Sequence, residues 1–156
     1  MKKFLLFAML CIASLTASSQ SIFNEVKRLR NEAEAIKNDT TKNLETRKIA
    51  CFKSDALYYL IDKASQDDTF TEYELGTQAN AMIEFVNLFV KRLSGEKRKN
   101  EKDIIMANFK NATITNPLFN DTDKEVIYGY VDNDKFLTQF SLDTDWVKAL
   151  EVVGGK

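Results

Sequence analysis

The chain has 156 residues, with 22 lysines and arginines against 23 aspartates and glutamates, and no histidine. The near-neutral balance gives no global attraction to nucleic acid. The missing histidine removes Ser-His-Asp and Cys-His catalysis, His-ligated zinc and carboxylate–histidine di-iron sites together. One proline and five glycines are too little turn punctuation for an all-β domain of this length, so the composition predicts mostly helix.

Lys2 and Lys3 open the chain, an apolar run follows from Phe4 to Leu15, and then come Thr16-Ala17-Ser18-Ser19-Gln20. Charge, short apolar core and small residues in that order read as a secretory signal peptide. The run is too short for a transmembrane helix, which needs about 20 apolar residues. Ala17 and Ser19 are the small residues that signal peptidase requires for a cut before Gln20; a cut before Ser18 would place Leu15 badly. Cys11 raises the rival reading of a lipid anchor, but Leu10 stands where that signal wants a small residue. Cleavage removes residues 1–19 and leaves 156 less 19, or 137, residues as one helical domain. It also removes two lysines, so 20 bases face 23 acids and the net charge becomes −3. The expected location is the periplasm or the cell exterior, with no transmembrane segment after signal removal. Cys51 is then the one remaining cysteine, which rules out an intramolecular disulfide.

Ile22, Val26, Leu29, Ala33 and Ile36 form one apolar stripe on a first helix, with Arg28, Arg30, Glu32 and Glu34 on its other faces. Asn38-Asp39-Thr40-Thr41 breaks the pattern, with Asp39 and Thr40 as candidate caps for the next helix. A second helix carries Ile49, Phe52, Ala56, Leu60 and Ala64 on one face and closes at Gln66-Asp67-Asp68. Two overlapping capping boxes follow, Thr69 with Glu72 and Thr71 with Glu74. The third helix is the longest and most apolar, with Leu75, Ala79, Met82, Val86, Phe89 and Leu93 on its stripe. Apolar flanks widen that stripe, so this helix should sit centrally. Ser94-Gly95 ends it, with Gly95 suited to the left-handed position after a helix.

The segment Glu96 to Asn111 starts charged and turns apolar at Ile104, Ile105 and Phe109, and Asn116-Pro117 is a loop. Thr122 with Glu125 makes a further capping box before a short helix over residues 123–131. Val126-Ile127-Tyr128 and Val131 allow a strand there instead. Asp134 to Phe140 reads as a helical turn or two. Asp143 caps a final helix carrying Trp146, Leu150 and Val153, which Gly154-Gly155 stops. The fold class is thus all-α: a single-domain helical bundle with a long central helix and short C-terminal helices.

Several residues are candidates for chemistry. Asp121, Asp123 and Glu125 alternate as the first ligands of a calcium loop do, but Val126 stands at the glycine position and Asp132 replaces the twelfth-position glutamate. Helix capping and separation account for the same acids. Lys91, Arg92, Lys97, Arg98, Lys99 and Lys102 form a basic cluster that suits phosphate or an anionic surface, or simply a solvated helix end. Cys51 lies about 200° round its helix from Ile49, beside Tyr58 and Asp62, either covered by a neighbouring element or facing another chain. Tyr58, Tyr59, Phe70, Tyr73, Tyr128, Tyr130 and Trp146 would line a groove or fill core and rim. Glu72 and Glu74 are acids of the kind that act in pairs without histidine, though capping explains both.

Two tail strings, Asn116-Pro117-Leu118-Phe119-Asn120-Asp121-Thr122-Asp123 and Phe140-Ser141-Leu142-Asp143-Thr144-Asp145-Trp146, resemble small exported proteins of uncharacterised function from Bacteroides-type bacteria. The Ser-Gln at the signal cut is also typical of that group. The resemblance covers the signal and roughly the last 40 residues. It implies export and carries no activity or site residues. It also implies a setting in which glycans are attached to Asp-Thr followed by a small or apolar residue, and Asp39-Thr40-Thr41 fits, making Thr40 a candidate for O-glycosylation. The leading expectation is a non-catalytic binding or structural module whose partner is a protein or cell-envelope component, with no cofactor and no nucleic acid. The alternative is a small histidine-free hydrolase using carboxylates.

Overall fold

The computed structural model describes residues 22–118 and 139–155. Among them are five helices and no strand: α1 over residues 22–38, α2 Leu44–Gln66, α3 Glu72–Gly95, α4 Lys99–Thr115 and α5 Trp146–Gly154. The chain is therefore an all-α bundle, and none of the described helices is long and apolar enough to cross a membrane. The expected signal peptide at residues 1–19 and the helix or strand over 123–131 lie outside the described residues. Of the expected turns over 134–140 only Gln139 and Phe140 are described, and neither is helical.

The apolar periodicities place the core as expected. Val26 and Ala33 of α1 and Phe52, Ala56, Leu57 and Leu60 of α2 are buried. On α3 the buried set is Leu75, Gln78, Ala79, Ala81, Met82, Phe85, Val86 and Phe89. That wide face lets α3 touch α2, α4 and α5, so it is the central helix. Gly76 opens a further contact: a Cβ built there would lie 2.9 Å from Ile22 Cγ2, so the missing side chain lets α1 approach α3 closely.

Six aromatic side chains hold the centre. Phe85 meets Phe109 at 5.0 Å, Phe140 at 5.2 Å and Trp146 at 5.4 Å, each edge to face. Phe52 packs edge to face on Phe140 and Trp146 at 5.5 and 5.9 Å, and Phe89 does so on Phe140 at 5.0 Å. Such pairs are worth about 0.5–1.5 kcal/mol each beyond simple burial. They tie α2, α3 and α4 to the C-terminal segment around one cluster.

The helix ends correct several expectations. Asn43, and neither Asp39 nor Thr40, caps α2, with its side-chain oxygen accepting from the Thr46 N–H at 2.8 Å. Asp39 instead accepts from the backbone N–H and hydroxyl of Thr41, closing a turn before the cap is reached. Thr71 and Glu74 form the capping box of α3. Thr69 and Glu72 do not form a second one, because the Thr69 hydroxyl and N–H are both held by Asp67. Gly95 is the last helical residue of α3 and not a left-handed cap; the chain leaves through Glu96 in an extended conformation. Glu96 then accepts from the N–H groups of Lys97 and Arg98, so α4 begins at Lys99 and runs on to Thr115. At the final helix Asp145 is the cap, where Asp143 is expected; its side chain accepts from the Lys148 N–H and Asp143 is buried. Gly155 takes the left-handed conformation at φ 64° just after the helix ends at Gly154, where the glycine pair is expected to stop it.

Candidate functional site

α1 and α2 are joined by residues 39–43 and pack against α3, and their stripes do not close on each other completely. An open groove of about 250 Å³ remains. Leu29, Ala33 and Ile36 of α1 form one wall, Ile49, Lys53 and Leu57 of α2 the other, and Ile83 of α3 contributes at the base. A second groove of about 510 Å³ shares Thr46 and Ile49 with it and runs along Asn87, Val90, Lys91 and Leu93 of α3 to Lys102 of α4. Ile36 and Val90, one in each groove, are both 39% exposed. Together the two grooves fall within the roughly 300–1,000 Å³ of small-molecule sites.

Lys53 lines the smaller groove, and its hydrogen-bond partner Asn87 lines the larger one. Lys53 is half-buried, and its ammonium donates to Asn87 Oδ1 at 2.8 Å. Among the described residues no carboxylate pairs with it. Loss of solvent lowers its pKa below the ordinary lysine value. Glu32, on the opposite wall, is engaged by Arg28 of its own helix. The arrangement is an apolar trough with a cation on one wall, hydrogen-bonded to a neutral amide.

The other side of the bundle carries a buried polar network. Gln78 of α3 donates to Asp145 at 3.0 Å and accepts from the Trp146 N–H at 2.7 Å. Desolvation raises the Asp145 carboxyl, but hydrogen bonds from Gln78 and Lys148 outweigh it and leave its pKa below the usual value. Thr113 Oγ1 accepts from the Ser141 N–H, and Thr144 Oγ1 donates to the carbonyls of Ser141 and Thr113. These bonds dock residues 141–145 on the end of α4 and satisfy the buried side chains of Gln78, Thr113 and Thr144. A smaller cluster ties α1 to α2: Glu34 accepts from Lys37 at 2.8 Å and Ser54 at 2.7 Å, and these bonds bring its pKa down to about 2.

The residues singled out from sequence are spread over the molecule. Asp121, Asp123, Glu125 and Asp132, the calcium candidates, lie outside the described residues, as do Tyr128 and Tyr130. Thr40 is exposed in the turn between α1 and α2. The basic cluster spans the α3–α4 junction, where Arg98 pairs with Glu96 and Glu101, and Lys91 and Lys102 reach the larger groove. Cys51 is partly buried at the edge of the core, with Asp55 Oδ2 3.8 Å from its sulfur. The aromatics do not converge: Phe70 and Trp146 are buried while Tyr58 and Tyr73 are exposed. Glu74 is occupied in the capping box, and Glu72 sits in the first turn of α3, where the helix dipole favours an acid. Sequence reading missed the groove and Lys53, although a signal was present. Ile49, Lys53 and Leu57 follow at intervals of four, so a lysine interrupts a ridge of apolar residues. No family model, curated protein or solved structure matches the chain.

Proposed function

We propose that this chain is an exported, non-catalytic binding module of the periplasm or cell surface, and that the trough along α2 is its binding face. The carrying observation is the apolar groove between α1 and α2, left open beside a fully packed aromatic centre. Leaving Ile36 and Val90 partly exposed has a hydrophobic cost that docking a partner would recover. Export rests on the N-terminal order of Lys2-Lys3, apolar run and small residues. Under the same reading Thr40, exposed in the α1–α2 turn, carries an O-linked glycan in the native host.

Co-sedimentation with the cell-envelope fraction of the host tests the reading. The double variant Ile36→Ser/Val90→Ser removes apolar surface from both grooves at two partly exposed positions, so folding should survive. Leu44→Ser is the control, since Leu44 is 63% exposed but lines neither groove. The expected result is envelope retention that the double variant loses and Leu44→Ser keeps. Equal retention of all three, or none by the wild type, contradicts it.

A further inference from the structure

Lys53 gives the trough a chemical preference. Resting on the binding reading above, we infer that the groove holds a single acyl chain ending in a carboxylate, with the chain against Ile36, Ile49 and Ile83 and the carboxylate on Lys53. The geometry supplies both halves of such a ligand. The smaller groove, of about 250 Å³, is lined mainly by aliphatic side chains, which suit a hydrocarbon chain. In the smaller groove the Lys53 ammonium makes one hydrogen bond, to Oδ1 of Asn87, a residue of the larger groove, at 2.8 Å. An ammonium has three donors, so at least one remains for an incoming anion. Lys91 and Lys102 in the adjoining groove add positive potential against Glu45 there and Glu32 in the smaller groove, the latter already paired with Arg28. A neutral amphiphile would leave the Lys53 charge half-desolvated and unmet. A cationic one would face it directly. A free carboxylate adds a charge-assisted bond to the half-buried ammonium.

The test is isothermal titration calorimetry of the purified full chain with decanoate below its micellar concentration. Decanol serves as the neutral analogue, butyrate as the short one and decyltrimethylammonium as the cation. Lys53→Met keeps the apolar stem and removes the charge. Asn87→Asp, on the exposed face of α3, gives Lys53 an internal counter-ion and covers the case that Lys53→Met fails to fold. The expected result is saturable one-to-one binding of decanoate, weakened about tenfold or more in either variant, as loss of a charge-assisted contact implies. Decanol binding should be unchanged by Lys53→Met, and butyrate should show no heat of binding. Absence of saturable decanoate binding, equal affinity in the variants, or tighter binding of the cation would each overturn the inference. So would a dimer in sedimentation equilibrium that buries Ile36, since a second copy would then be the occupant. If decanoate fails while envelope retention still depends on Ile36 and Val90, the ligand class falls and the binding reading stands.

Discussion

The side-chain oxygen of Gln78 accepts the backbone N–H of Trp146 at 2.7 Å, and its amide nitrogen donates to Asp145 at 3.0 Å. Gln78 thereby satisfies the first turn of α5 from a buried position of α3 beside the apolar stripe. Trp146 is fully buried, so the N–H it presents has no access to water. Replacing Gln78 with Ala should cost about 1–3 kcal/mol, the penalty for orphaning a buried donor. Urea denaturation measures it. A loss below about 0.5 kcal/mol would mean that α5 docks through its aromatic contacts alone.

Phe89 lies 1% exposed on the central helix, against Phe109 and Phe140. Phe89→Ala should destabilise the fold by roughly 3–5 kcal/mol through lost transfer energy and the cavity left behind. The same denaturation experiment reads it. A change below about 1 kcal/mol would place Phe89, and with it α3, away from the centre of the core.

The cap assignment at α2 separates two neighbouring residues. Asn43→Ala removes the acceptor for the Thr46 N–H and should cost about 1 kcal/mol. Asp39→Ala breaks only an exposed turn with Thr41 and should cost less. The reverse order in thermal melts would show that α2 starts earlier than Leu44.

Asp145 makes the C-terminal docking sensitive to acid. Its pKa is lower in the folded chain than its ordinary value near 4, so the unfolded state binds the proton more readily. The associated stability is fully present above about pH 4 and is lost as the pH falls through the folded value. Asp145→Asn keeps an acceptor for the helix cap but cannot titrate. Stability measured from pH 6 to pH 2 should therefore fall less steeply in this variant than in the wild type. Parallel curves would show that Asp145 does not contribute to the acid limb.

Thr40 is tested in the native host. Trypsin should release Asn38-Asp39-Thr40-Thr41-Lys42, and mass spectrometry should find a hexose-containing glycan on Thr40. An unmodified peptide across the exported population contradicts that part of the reading.

The all-α class, the first three helices and the central place of α3 were legible because each rests on apolar spacing over several turns; α4, whose charged start hides its apolar residues Ile105 and Phe109, was not read as a helix. Val26, Phe52, Leu75 and Phe89 are buried as their stripes require. Caps were less legible because Ser, Thr, Asp and Asn are all competent and cluster near helix starts. Only packing decides between Asp143 and Asp145, and it buries the former. Ser141 and Thr144 drew no sequence expectation, yet both are buried, because they hydrogen-bond to each other and to Thr113. The groove was not legible as a groove. Its walls come from stripes that also make core, and which stripe residues stay open depends on how α1 and α2 cross.

The most direct test of the account is amide hydrogen exchange of the full chain with and without the host envelope fraction. The account predicts added protection on residues 29–36 and 46–57 and on the Ile83–Leu93 stretch of α3, the stretches that carry the trough-lining residues. That protection should be lost in Ile36→Ser/Val90→Ser, with no change around Thr113 and Ser141. Protection centred on α4 and α5, or none along the trough, would contradict the assignment of the binding face.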